Sequence, residues 1–219
     1  MAKAEAEQLL GPDGLPEASK EPGPGGAGIL VVLMLVPRLV GLGIGFLIFK
    51  FGDVSLYQDQ IALLASKKLG YLYLSVTAVS VLVQWLNVFP MIYKQKLNLE
   101  GNIRANMQFF KVNSTTNPLP YVVLEEQGVV GEYNRANRSL FHFIENMGGV
   151  LLCILCAGFV FPLPAFICTL AFFVGRVAHQ IGYVSGYGKH GLGFGIVMLV
   201  SNILEGLVTL AALSSFGAF

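Results

Sequence analysis

The stretch from Met147 to Gly175, MGGVLLCILCAGFVFPLPAFICTLAFFVG, contains no charged residue. Residues 161–164, Phe-Pro-Leu-Pro, divide it into two apolar halves. About 20 apolar residues cross a bilayer as an α-helix, and each half reaches that length together with its flanking sequence. The stretch therefore predicts two antiparallel membrane helices that are joined by a short turn.

Five apolar segments of membrane-spanning length are predicted along the chain. They are helix A at 28–50, helix B at 69–93, helix C at 135–160, helix D at 163–186 and helix E at 192–216. Pro37 and Arg38 interrupt helix A, so a kinked or re-entrant segment is an alternative there. Residues 1–27 are rich in Gly, Pro and Glu, which predicts a disordered tail. The predicted fold class is an all-α membrane protein, a four-helix bundle over 69–216 that carries helix A as an extra N-terminal membrane helix.

Composition agrees with a protein solvated by lipid. Of the 219 residues, 54% are hydrophobic and only 12% are charged, whereas soluble domains have about 25% charged residues. The net charge of +1 and the scattered Lys and Arg exclude a nucleic-acid-binding surface. Cys153, Cys156 and Cys168 lie in apolar runs without the further ligands that zinc requires. We therefore expect them to act as small apolar side chains, and we expect no metal site.

The arrangement of positive charges predicts the orientation in the membrane. With five spans, the tail, the long loop at 94–134 and the link at 186–191 share one side. Lys and Arg near helix ends are more numerous on that side, which the positive-inside rule assigns to the cytosol. The tail and the 94–134 loop are therefore expected in the cytosol, and the C-terminus in the lumen. The glycosylation sequons at Asn113 and Asn137 should then stay unmodified.

Helix C carries a stripe of polar residues. Asn134, Arg138, His142 and Glu145 recur at intervals of four, four and three, which places them on one helix face. Ionisable side chains inside membrane spans are costly, so each marks a candidate functional site. The stripe predicts the wall of a polar pocket. The alternative is an internal salt bridge that specifies helix packing.

Helix D carries a second polar stripe of Arg176, His179, Tyr183 and Tyr187 beside Gly182. An aromatic belt at the membrane surface would explain the two tyrosines, but Arg176 lies about 15 Å inside the helix end. Because helices C and D are antiparallel, the two stripes predict a cavity that opens to the cytosol. The complementary ligand is small and mainly anionic with an ammonium group, such as a peptide-like zwitterion.

These two runs also carry a family resemblance. Residues 133–146, YNRANRSLFHFIEN, resemble the helix-two signature R-A-x-x-N-x-x-E of the MAPEG superfamily, the membrane-associated proteins of eicosanoid and glutathione metabolism. Residues 176–186, RVAHQIGYVSG, resemble its helix-three pattern R-x-x-Y-x-x-G-Y. The resemblance covers about residues 69–216 and is closest to the third type of microsomal glutathione transferase.

The resemblance implies a homotrimer of MAPEG-like four-helix subunits in the endoplasmic reticulum membrane, in contact with membrane lipids. Glutathione would bind between subunits on the cytosolic side, as a cofactor for transfer to lipophilic electrophiles or for the reduction of lipid hydroperoxides. The glutathione-binding residues that it implies are Arg138, His142, Glu145, Arg176, His179 and Tyr183.

One family feature has no direct counterpart. In active members an Arg near the end of helix D stabilises the thiolate, but no Arg follows Arg176 in this chain. By spacing, the position falls on His190 with Lys189 beside it, and these two are the predicted catalytic residues. Lysine supplies a flexible point charge, and histidine is only partly protonated near neutral pH. The alternative function is therefore a non-catalytic lipid-binding member or a structural subunit of a larger membrane complex.

Two further ionisable residues lie at comparable depths in the membrane, Arg38 in helix A and Glu205 in helix E. One hypothesis is that they form an ion pair that anchors helix A to the bundle. The alternative is that Arg38 extends toward the membrane surface and that Glu205 meets the bundle axis independently.

Overall fold

A computed structural model describes residues 26–94, 96–97, 108–110, 123–186 and 188–218. The described part contains six α-helices and one isolated antiparallel bridge between Phe110 and Leu124. The helices are α1 Gly26–Phe51, α2 Val54–Ser66, α3 Gly70–Lys94, α4 Gly128–Val160, α5 Pro162–Ser185 and α6 Gly191–Ser215. Residues 1–25 of the predicted tail, most of the 94–134 loop, the Asn113 sequon and Tyr187 lie outside these residues, and residues 26–27 begin α1.

Five of the six helices are long and apolar enough to cross a membrane, namely all except α2. They correspond to helices A to E, which confirms the prediction of an all-α, multi-pass integral membrane protein. Helix α1 runs without interruption through Pro37, so the structure has a continuous helix where a re-entrant segment was the alternative.

The bundle consists of α3, α4, α5 and α6, and α4 contacts each of the other three. Its apolar core contains Leu82 and Leu86 of α3, Phe143 of α4, Phe172 of α5 and Leu204 of α6, all at most 5% exposed. The short turn at Phe161 joins α4 to α5 as predicted, with Pro162 as the first residue of α5, where a missing backbone N–H costs no hydrogen bond.

Helix α1 lies at the edge of the bundle, where its main contacts are with α3 and α2. No residue of its membrane-spanning window is buried. Arg38 Nη2 donates to Oε1 of Gln84 in α3 at 2.5 Å. Neither ion pair in the described part of the chain involves Arg38 or Glu205. The hypothesis of a pair within one chain is therefore wrong, because α1 packs beside α3 and Glu205 lies on α6.

Helix α2 was not predicted. It is too short to span a bilayer, and all its residues are at least partly exposed. Asp53 begins it as an N-cap, since its carboxylate accepts hydrogen bonds from the backbone N–H of Leu56 at 3.1 Å and the hydroxyl of Ser55 at 2.9 Å. The rings of Phe49 and Tyr57 stack at 6.4 Å across the α1–α2 corner. The helix therefore forms a separate element between two spans.

Helix α4 begins at Gly128, seven residues before the predicted start, so it extends beyond the bilayer core. At 1.5 Å per residue its 33 residues reach about 50 Å, against a core of about 30 Å. Asn134 holds this extension to the preceding loop: its amide donates to the carbonyl oxygens of Phe109 and Glu125 at 2.8 Å and accepts from Phe109 N–H at 3.0 Å. Asn134 therefore anchors a loop and does not line the predicted pocket.

Candidate functional site

The polar stripe of α4 presents an ion pair at its exposed side. Arg138 Nη1 donates to Glu145 Oε1 at 2.9 Å, two helical turns along the same face. Both side chains are about half exposed. This salt bridge is the alternative considered for the stripe, yet its exposure leaves both charges accessible to a ligand. His142 lies between them and is half-buried.

A buried cation, Arg176, joins α5 to α4. The residue is only 2% exposed. Its Nη2 donates to the carbonyl oxygen of Ser139 at 3.0 Å, and its Nη1 lies 3.2 Å from Nδ1 of His142. A guanidinium group only donates hydrogen bonds, so Nδ1 of His142 must be the acceptor. Arg176 thereby fixes the neutral tautomer of His142, which carries its proton on Nε2.

All three histidines of the chain meet beside Arg176. We call His142, His179, Tyr183 and His190 the histidine cluster. The His142 and His179 rings stack with centroids 5.4 Å apart, and the His179 and Tyr183 rings stack at 5.7 Å. His190 lies 5.3 Å from His179 and 5.0 Å from Tyr183. The structure thus brings two elements of the predicted site, the stripes of helices C and D, into direct contact.

The histidine cluster contains polar atoms without a partner in the described structure. Nδ1 of His179 and Nδ1 of His190 are buried, and neither forms a hydrogen bond there. Buried polar groups are normally paired, so such atoms indicate a place for a ligand or an ordered water. In the described segments, no group of three His, Cys, Asp or Glu residues could hold a metal ion.

Glycines bring His190 to the cluster. A Cβ atom on Gly182 would lie 2.5 Å from the carbonyl oxygen of Lys189, so only glycine lets the turn fold onto α5. Gly188, in the same turn, has φ +88°, which favours glycine. Gly186 has open space around it and a φ of +137°, so it serves the turn. The Lys189 side chain, by contrast, is exposed.

A cavity of about 430 Å³ opens between α4, α5 and α6 on the membrane side of the cluster. Its walls are mainly apolar, with Phe143 and Phe172 among them. The polar side chains on its lining are Asn146, Arg176, Ser201 and Glu205. Arg176 therefore contacts the histidine cluster and also lines the cavity, and its Nε is buried without a hydrogen-bond partner in the part of the chain that the structure describes.

Some residues of this region were not identified from the sequence. The Phe194 ring lies 6.4 Å from the rings of both His142 and His179. Gln180 donates from its buried Nε2 to the carbonyl oxygen of Leu86 at 3.1 Å and so fixes α5 against α3. A buried glutamine in the apolar run of helix D is a signal that could have indicated this contact. Phe194 is one apolar residue among many, and nothing in its sequence context distinguishes it.

A comparison with known protein families gives a match. The model of the MAPEG family matches residues 72–213, which include α4, α5, most of α3 and nearly all of α6. No curated protein matches the chain. Helices α1 and α2 lie outside the matched range, whereas the histidine cluster and the cavity lie within it.

Proposed function

The chain belongs to the MAPEG family, and on that premise we propose that it is a glutathione-dependent transferase or peroxidase that acts on lipophilic electrophiles or lipid hydroperoxides in a membrane. The observation that carries the proposal is the position of the histidine cluster. It joins an exposed ion pair, suited to a polar peptide, to an intramembrane cavity, suited to an apolar partner. The homotrimer, the endoplasmic reticulum and the likeness to the third type of microsomal glutathione transferase are parts of the same proposal.

The donor set fits glutathione. Arg138 complements a carboxylate, and Glu145 complements an amino group. His142, held by Arg176, offers its Nε2–H as a donor, while His179 and Tyr183 offer ring faces and polar atoms. The unpartnered Nδ1 atoms supply buried positions that a polar ligand would satisfy.

Arg176 has a narrower role in this proposal than Arg138. Two of its five N–H donors already bind His142 and Ser139, and its Nε is buried without a partner in the described structure. We therefore assign to Arg176 mainly the positioning of His142. Direct contact with a ligand carboxylate falls to the exposed Arg138.

Glutathione, when bound, supplies the nucleophilic thiol. Of the two predicted catalytic residues, His190 has the better position, because its ring contacts His179 and Tyr183 while the Lys189 side chain is exposed. His190 Nδ1 is buried and without a hydrogen-bond partner in the described structure, and in this proposal it accepts the thiol proton. Lys189 contributes positive charge at the rim.

The proposal is tested by conjugation of glutathione to a generic aromatic electrophile by the purified protein. We expect activity in the wild type, a loss of at least ten-fold in His190→Ala and a smaller loss in Lys189→Ala. A wild type without activity that co-purifies with other membrane proteins would support the alternative, a lipid-binding or structural subunit. The two added helices α1 and α2 favour that alternative, since they extend the surface available to partners.

A further inference from the structure

Glu205 is a carboxylate without a counter-charge in the described chain. It lies in the middle of the membrane-spanning helix α6, is exposed, and borders the cavity. Arg176 lines the same cavity, but its guanidinium group forms no ion pair with the Glu205 carboxylate. A charged side chain within the bilayer is costly unless it is paired. A cation or hydrogen-bond donor for Glu205 would therefore come from outside the described part of its own chain.

Arg38 is the opposite case. It lies in the membrane-spanning helix α1, is partly exposed, and its hydrogen bond goes to the uncharged Gln84. The bilayer core offers no anion to neutralise it, and the amide oxygen of Gln84 carries no net charge. Within the described residues, Arg38 and Glu205 are thus a cation and an anion in membrane spans, at different places on the bundle, and neither has an ion-pair partner.

The two charges lie at similar depth. Five spans alternate in direction, so α1 and α6 both begin on the same side of the membrane. At 1.5 Å per residue, Arg38 lies about 18 Å from the start of α1 and Glu205 about 21 Å from the start of α6. The difference of about 3 Å is within the reach of an arginine side chain.

We infer that Arg38 of one chain pairs with Glu205 of a neighbouring copy. The pair forms in a medium of low dielectric, where opposite charges attract strongly and water does not compete. Helix α1 of the neighbour then covers the mouth of the cavity, so the cavity is complete only between two copies. This gives a role to α1, which lies outside the matched range of the family. The inference does not depend on glutathione binding.

The inference is tested by charge reversal in two differently tagged chains. The Arg38→Glu chain carries two acidic residues at the proposed contact, and the Glu205→Arg chain carries two basic ones. Each alone should lose oligomers in mild detergent, because like charges meet. Co-expressed, they should recover oligomers that carry both tags, at a yield at least three-fold above the oligomer yield of either variant alone, because opposite charges then meet. No recovery on co-expression, or a wild type that is monomeric, would overturn the inference.

A second measurement keeps the test decisive if a charge reversal prevents folding. In a background with Cys153, Cys156 and Cys168 changed to Ser, Arg38→Cys is placed in one tagged chain and Glu205→Cys in the other. A short bismaleimide should join them into a dimer that carries both tags. The matched control is Ile203→Cys, also exposed but on the far side of α6. We expect at least ten-fold less cross-linking from position 203, and equal yields would contradict the contact.

Discussion

Nη1 of Arg176 lies 3.2 Å from Nδ1 of His142, so that a cation buried in α5 sets the tautomer of a histidine in α4. The same guanidinium donates to the Ser139 carbonyl oxygen and lies 5.3 Å from the centre of the Phe143 ring. Arg176 therefore connects the polar face of α5 to the polar face of α4, and it orients the His142 ring between them. A ligand that binds the exposed ion pair on α4 meets a histidine whose hydrogen-bonding state is already determined.

Replacement of Arg176 should destabilise the bundle. Arg176→Leu removes two charge-assisted hydrogen bonds and leaves Nδ1 of His142 without its donor, which we expect to cost about 3 kcal/mol. Thermal unfolding in detergent measures the effect. The control is Arg138→Leu, which removes an exposed ion pair and should change stability by less than about 1 kcal/mol. Equal losses for the two variants would contradict the structural role of Arg176.

Gly182→Ala should displace His190 without unfolding the helices. The added methyl would lie 2.5 Å from the Lys189 carbonyl oxygen, so the turn must move outward, at a cost of about 1–3 kcal/mol. We expect weaker glutathione binding with unchanged helical circular dichroism. Gly191→Ala is the matched control, because open space surrounds that position. If both variants bind alike, the close approach at Gly182 has no part in the site.

The N-cap of α2 should respond to acid. Hydrogen bonds from the Leu56 N–H and the Ser55 hydroxyl lower the pKa of Asp53 below its ordinary value. A lowered pKa in the folded state stabilises the helix at pH above the ordinary value, and this contribution is lost as pH falls through the lowered pKa. Amide exchange in α2, corrected for intrinsic rates, should therefore show protection that decreases in acid. The Asp53→Ala variant should lack that decrease, and a parallel decrease there would assign it to another group.

Glycosylation tests the orientation. The Asn113 sequon should stay unmodified in cells, because the 94–134 loop is predicted in the cytosol. A sequon added after Phe219 on a flexible spacer should be modified, since the C-terminus is predicted in the lumen. Modification is seen as a mass shift that a glycosidase removes. A modified Asn113 with an unmodified C-terminal sequon would show that the topology is the inverse of the predicted one.

The membrane fold could be predicted from the sequence because long apolar runs are its direct cause. Helix α2 was missed because it is too short to resemble a span, although Asp53 before an amphipathic segment is a helix-start signal. The early start of α4 depends on Asn134, whose contacts with Phe109 and Glu125 bring together parts of the chain that periodicity cannot relate.

The site was predicted only in part, because some of its contacts also join parts of the chain that periodicity cannot relate. Intervals of three and four predicted that Arg176, His179 and Tyr183 lie on one helix face. In the structure all three belong to α5 and the rings of His179 and Tyr183 stack, which agrees with that expectation. The approach of His190 depends instead on a turn that Gly182 allows, which is a tertiary contact. The pairing of Arg38 with Glu205 in one chain was wrong because depth alone says nothing about which helices are neighbours.

The central claim is that this site binds glutathione and activates its thiol without the usual arginine. The most direct measurement is the ultraviolet absorbance of the thiolate, followed against pH with the purified protein and glutathione. We expect binding with the thiol pKa lowered by about one unit or more, as a nearby cation or proton acceptor produces. That shift should disappear in His190→Ala. Binding with an unshifted thiol pKa, or no binding, would contradict the claim.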